Sequence, residues 1–173
     1  VKLSTKGRYG LLACYDLACH AEDAPVPLKA VAERQGISES YLEQLMGSLR
    51  RAGLVRSSRG SQGGYALARR PEDVTVGDVI RVLEGPIAPV ECVSEDGAAF
   101  QHCAKTDGCV TRYIWEKLRD SMTRVLDSIS LADLVLEARS REERGSGAED
   151  GGPGPGSGVA AAGEQAEGAG GRP

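Results

Sequence analysis

The chain has 173 residues, with 21 Lys+Arg against 25 Asp+Glu, and 40% of it is hydrophobic although it holds one Phe and one Trp. That length suits one domain, or one domain with a tail, around an aliphatic core. No apolar run approaches the roughly 18 residues of a membrane span. The opening VKLSTKGRYG has no apolar signal core, so a cytoplasmic setting is expected. There, five cysteines serve as ligands, sensors or core residues rather than as disulfides. The net charge of −4 hides a division: residues 1–70 carry 11 basic and 6 acidic side chains, 71–144 carry 9 and 15, and 145–173 carry 1 and 4. Local charge, not net charge, governs attraction to nucleic acid.

In chain order, Ser4 or Thr5 caps a first helix reaching about His20. Leu11, Leu12, Cys14, Tyr15, Ala18 and Cys19 make it apolar around much of its girth, which predicts burial on more than one side. Cys14 and Cys19 are therefore read as core residues. Lys6 and Arg8 lie in its first turn, unfavourably placed for the helix dipole. Either a phosphate partner relieves that cost or they are plain surface charges. Pro25-Val26-Pro27 breaks the chain, and Leu28–Gln35 is a short helix stopped by Gly36.

The most informative stretch follows. Ser38 is the expected N-cap of a helix from Glu39 to about Ala52, with Gly53 as its stop. Leu42, Leu45, Met46 and Leu49 form one buried stripe, which turns Ser40, Glu43, Gln44 and Gly47 outward. That polar face suits base edges in a major groove, and the flanking Arg50, Arg51, Arg56 and Arg59 suit phosphates. Leu54–Ser57 and Tyr65–Ala68 read as two strands joined by a Gly60-Ser61-Gln62-Gly63-Gly64 loop, with Arg59 placed to enter a minor groove. Helix, turn, helix and wing together predict a DNA reader, the bland alternative being a small α+β core with a Gly-rich hairpin.

Thr75-x-x-Asp78 resembles a capping box and opens a helix over Val76–Glu84, with Val79, Ile80 and Leu83 inward. Glu91–Cys109 lacks apolar periodicity and carries Cys92, His102, Cys103 and Cys109. Thiolates on such a loop suit an iron–sulfur cluster, another soft metal or a thiol switch, or have no role. The C-x10-C-x5-C spacing is unlike a zinc ribbon, and a cluster needs a fourth ligand beyond the three cysteines, from His102, a nearby carboxylate or the first helix of a partner subunit. From about Val110 to Ser128 runs the longest helix, its stripe of Ile114, Leu118, Met122, Val125, Leu126 and Ile129 suiting a two-fold dimer seam or packing on its own domain. Ser130 caps a short helix, Leu131–Ala138. The Gly/Ala/Pro-rich stretch from Gly145 is expected to be disordered. No catalytic constellation is present in the sequence, so an enzyme is not expected.

The expected fold is mainly α with a small β wing. A winged helix-turn-helix DNA-binding domain spans 1–85, a cysteine-containing sensor loop 86–109, a dimerisation helix and terminal helix 110–140, and a disordered tail 141–173.

LSTKGRYG at 3–10, ISESYLEQL at 37–45, LRRAGLV at 49–55, RGSQGGYAL at 59–67 and VGDVIRVLEGP at 76–86 together resemble the Rrf2 family of bacterial transcription regulators. The resemblance covers about 1–138. It implies a homodimeric winged helix with a long dimerisation helix that binds double-stranded DNA at palindromic operators; the residues themselves predict a repressor with neither a membrane nor a small-molecule substrate as partner. By position, Ser40, Tyr41, Glu43 and Gln44 match the reading helix and Arg59 the wing residue that enters the minor groove, while the reading of the residues themselves adds Ser38, Arg50, Arg51, Gly60 and Ser61 as DNA contacts. Lys6 and Arg8 are added from the first helix. Two branches are resembled. CVTRYIWEKL and Cys92, Cys103 and Cys109 are like the IscR branch, which implies a [2Fe-2S] cluster and a sensor of cluster or redox status. There, a histidine stands three residues beyond the last cysteine; here that residue is Arg112, so His102 is the candidate fourth ligand. GDVIRVLEGPIAPVE is like the CymR branch, which implies a repressor of cysteine and sulfur metabolism without a cluster.

Overall fold

The computed structural model of the chain describes residues 3–20, 25–60, 63–94 and 108–146. Helix α1 spans Thr5–Cys19, and Ser4 caps it by accepting from the Lys6 amide at 3.1 Å. α2 (Leu28–Gln35) ends at Gly36, whose φ of 63° is the left-handed stop expected there. α3 covers Glu39–Arg51, and strands β1 (Val55–Ser58) and β2 (Gly64–Leu67) form an antiparallel hairpin with Val55 opposite Leu67 and Ser58 opposite Gly64. α4 (Val76–Glu84), α5 (Arg112–Asp127) and α6 (Leu131–Ser146) complete the order. The mainly helical fold with a small wing is as the sequence predicts.

Leu42, Leu45, Met46 and Leu49 of α3 are buried, as their spacing requires, against Cys14 and Leu17 of α1, Val31 of α2 and Leu83 of α4. Each such side chain contributes about 1.5–3 kcal/mol by leaving water. α1 and α4 cross closely because α1 presents glycines: a Cβ at Gly10 would fall 1.9 Å from Cδ1 of Leu83. The same crossing brings Glu84 of α4 to the start of α1. There its carboxylate accepts from the Ser4 hydroxyl at 2.5 Å and the Gly7 amide at 2.7 Å. The anion that α1 lacks in its own first turn is thus supplied across the fold, and Lys6 and Arg8 need no phosphate to offset the helix dipole.

Several expectations are corrected. Pro25-Val26-Pro27 is more than a break, because Val26 exchanges two 2.8 Å backbone bonds with Tyr65 and adds a third rung to the wing. β1 and β2 each shift by one residue relative to the sequence reading. Cys14 is fully buried, but Cys19 is exposed at the end of α1, where its thiol beside the Tyr15 hydroxyl one helical turn back, together with partial burial, pushes that phenol up to about 12. α6 continues past Ala138 to Ser146, so the helix enters the stretch assigned to the tail. Its apolar pattern ends early, but ion pairs from Glu137 to Arg141 at 2.7 Å and Arg144 at 3.6 Å carry the helix on. The Gly/Ala/Pro-rich sequence beyond lies outside the described residues.

A buried acid, unremarked by apolar periodicity, locks α1 to α2. Asp16 is 2% exposed and accepts from Arg34 Nε at 2.9 Å, Arg34 Nη2 at 2.6 Å and Gln35 Nε2 at 2.9 Å. Burial pushes its pKa up, but the Arg34 and Gln35 hydrogen bonds and the nearby Arg34 and His20 charges outweigh it, so the net shift is downward. A depressed carboxylate stabilises the fold above the unfolded-state pKa of about 3.9, and that contribution is lost as pH falls through the folded-state value. Asp16→Asn is expected to lower stability by about 1.5–3 kcal/mol at neutral pH. The lower end is expected because Arg34 is 39% exposed and partly screened. In urea denaturation, the gap between mutant and wild type should narrow below about pH 4 as Asp16 is protonated.

Candidate nucleic-acid interface

α3 is placed by the left-handed turn at Gly36 and by Ile37, which is buried under it. With the stripe from Leu42 to Leu49 committed to the core, Ser40, Glu43 and Gln44 stand exposed on the opposite face, and Gly47 is half-buried beside them. Ser38 occupies the N-cap position with extended backbone, but its side chain makes no capping bond, which corrects the sequence reading. The first-turn amides of α3 are therefore not satisfied by Ser38, the arrangement in which a helix start can take a phosphate oxygen. Tyr41 is half-buried and packs edge-on against Tyr9 of α1, with ring centroids 6.1 Å apart. Its ring braces α3 on α1, a role that helical spacing alone did not reveal.

The cations divide by what holds them. Arg50 donates to the Ser57 hydroxyl at 3.2 Å and ties the end of α3 to β1. Arg51 donates to the Ser48 hydroxyl at 3.1 Å. These neutral partners orient guanidinium groups without cancelling their charge, which suits them to phosphates. Arg56 is turned back across the hairpin, its Nε donating to the Leu67 carbonyl at 3.2 Å. Arg59 and Gly60 are exposed at the wing's turn, where Gly60 has φ of 117°. Ser61 lies outside the described residues. Lys6 and Arg8 are exposed on α1, and Arg8 lines a cleft between α1 and α6 with Leu12, Leu134 and Arg141.

The cysteines are only partly described. Cys92 is half-buried in a 3-10 turn, Glu91–Val93, which Arg119 of α5 anchors by donating to the Val93 carbonyl at 3.1 Å. Cys109 is half-buried just before α5, its Sγ 3.2 Å from Thr111 Oγ1. The Thr111 hydroxyl, then the Arg112 amide, hold its pKa below the usual thiol value, which favours a thiolate. Cys103 and His102 lie outside the described residues. Cys14 differs: burial pushes its thiol up to about 12, which keeps it protonated and inert. Among the described residues no three His, Cys, Asp or Glu side chains come together as a metal site, and no helix is long and apolar enough to cross a membrane.

α5 contains no buried residue. Tyr113, Ile114, Leu118 and Val125 are 67, 56, 38 and 56% exposed, while Met122 and Leu126 pack on Val76, Ile80 and Ile87. The helix thus covers α4 with one part of its stripe and leaves the other part bare.

A helix-turn-helix whose second helix shows a polar face, beside a two-stranded wing with exposed arginines, defines a winged helix-turn-helix DNA-binding protein. The family model for Rrf2, described as an iron-dependent transcriptional regulator, matches residues 3–137, and the chain belongs to that family. Membership of a family of transcriptional regulators places it outside the enzymes. The chain is 44% identical to the transcriptional regulator CymR of Bacillus subtilis over 143 residues, 83% of this chain and 96% of that protein. It is 44% identical to Protein rrf2 of Nitratidesulfovibrio vulgaris, over 80% of this chain and 89% of that one. The solved structure of T. potens IscR superposes with a TM-score of 0.65 at 51% identity, covering 80% of this chain and 88% of that one.

Proposed function

We propose that the chain is a homodimeric repressor that reads a palindromic operator with α3 and the wing of each copy, and that it controls sulfur metabolism in the CymR manner, without needing a cluster. The exposed Ser40, Glu43 and Gln44 face beside Arg50, Arg51 and Arg59 supports the DNA-reading half. The bare stripe on α5 supports the dimer, since two copies burying Ile114, Leu118 and Val125 together would remove it from water. Likeness to nearly the whole of CymR, whose solved structure is described as that of the global cysteine regulator of B. subtilis, supports the metabolic reading.

The cysteines favour a second reading, in which Cys92, Cys103 and Cys109 ligate a [2Fe-2S] cluster with His102 as fourth ligand. The two described cysteines fit a thiolate donor set: both are partly accessible, and the pKa of Cys109 is lowered. A bound cluster would supply sensitivity to iron, oxidants or nitric oxide. The chain's own part would be mechanical. Arg119 ties the Cys92 turn to α5, so a rearrangement between residues 91 and 109 would bias the dimer helix and the pose of the two wings.

Anaerobic purification, with iron and sulfide counted per chain and visible absorption recorded, separates the two readings. A colourless protein that stays apo after reconstitution yet binds its operator is the result the cluster-free reading predicts. Iron and sulfide that vanish in Cys92→Ala, Cys103→Ala and Cys109→Ala would overturn it in favour of the cluster.

A further inference from the structure

An open cleft of about 1230 Å³ lies between the base of the wing, the end of α1 and one face of α6. Its described lining includes no residue of the α3 reading face and neither Cys92 nor Cys109. Its apolar side is formed by Ala18, Ala66, Val135 and Leu136, the last 59% exposed. Its charged side carries Arg56, Arg69, Arg70 and Arg139 against Glu72, Asp73 and Asp133.

Hydrogen bonding and ion pairing engage Asp133, Glu72 and Arg70, which leaves Arg56, Arg69 and Arg139 facing the single carboxylate of Asp73. Asp133 accepts from the Ser130 amide at 2.8 Å and hydroxyl at 2.7 Å and so closes the cap of α6. Glu72 pairs with Arg70 at 3.4 Å. Arg56 and Arg69 instead donate to main-chain oxygens, of Leu67 at 3.2 Å and of Asp73 at 3.5 Å. A carbonyl orients a guanidinium without neutralising it. Arg139 stands exposed on the same face of α6 as Leu136. Arginines from β1, from the segment after β2 and from α6 therefore line one cleft beside an apolar patch on α6, the composition of a pocket that orients a ligand by a few polar groups.

We propose that this cleft binds a small organic anion, with its carboxylate or phosphate group on Arg56, Arg69 and Arg139 and its apolar body against Val135 and Leu136. Such a ligand would bridge the wing to α6. It is therefore placed to bias the wing's position relative to α5 and α6, which makes it an effector site for the repressor. The binding step stands by itself, and only its consequence for DNA rests on the operator reading.

Calorimetry on the full chain without DNA tests the binding step, using adipate, inorganic phosphate and the neutral diamide of adipate as probes. Saturable binding of adipate or phosphate, weakened about tenfold or more by Arg139→Glu and by Arg69→Gln, is expected, and the anion that binds identifies the class. Absence of binding by both anions, equal binding of the diamide, or affinity unchanged in both variants would overturn the proposal. So would a loss of ligand-free DNA binding in Arg139→Glu, because the arginines would then be a surface for DNA phosphates.

Discussion

Replacing Ile114 and Leu118 together by aspartate is expected to yield a folded monomer whose operator affinity falls by about 100-fold or more, the scale of avidity lost when two linked sites become one. Ile114 is 56% and Leu118 38% exposed, and α5 contributes no residue to the main core, so the winged domain should retain its unfolding midpoint. In a dimer each would contribute roughly 0.5–1.5 kcal/mol as its remaining exposed surface is buried, and a buried unpaired carboxylate would reverse that gain. Light scattering reads the oligomeric state, and fluorescence anisotropy on a palindromic duplex reads the affinity. A variant that remains dimeric would place the seam elsewhere.

Gly64→Ala is expected to be the most damaging single-methyl change in the wing. A Cβ there would lie 2.3 Å from the Val26 carbonyl oxygen and 2.5 Å from its carbon. Both are backbone atoms, so no rotamer change relieves the clash. The Val26–Tyr65 pairing would have to open, forfeiting two 2.8 Å hydrogen bonds. The cost is about 2–4 kcal/mol from broken hydrogen bonds and overpacking together. DNA affinity should fall as well, because the hairpin that carries Arg59 loses its third rung. Thermal unfolding and the duplex titration together check this, and a variant as stable as wild type would show that Val26 does not hold the wing.

The reading helix was legible because its four buried residues obey one spacing and its punctuation is local: Gly36 and Gly53 both take positive φ. The capping box of Thr75 and Asp78 was legible for the same reason, and both of its hydrogen bonds are present. Contacts distant in sequence were not. Glu84 reaches the start of α1 across 77 residues to Gly7, and no local pattern announces such a partner. Asp16 offered a signal, a single acid inside an apolar helix, which asks for a buried cation and finds Arg34. The end of α6 is not marked by apolar spacing, because the apolar stripe fades while ion pairs continue. Cys19 is exposed because it lies on the solvent side of the last turn of α1, which apolar neighbours around a helix do not reveal.

The most direct measurement is selection of duplexes from a random-sequence library by the full chain, followed by sequencing. Two copies reading with α3 and the wing should enrich a palindrome whose half-sites lie about one helical turn, or a multiple of it, apart. Gln44→Ala and Glu43→Ala should each relax the choice at particular base positions, costing about 1–3 kcal/mol of discrimination for each side chain removed from a base edge. Enrichment of an asymmetric single site, or no enrichment above a salt-sensitive background, would contradict a dimeric operator reader.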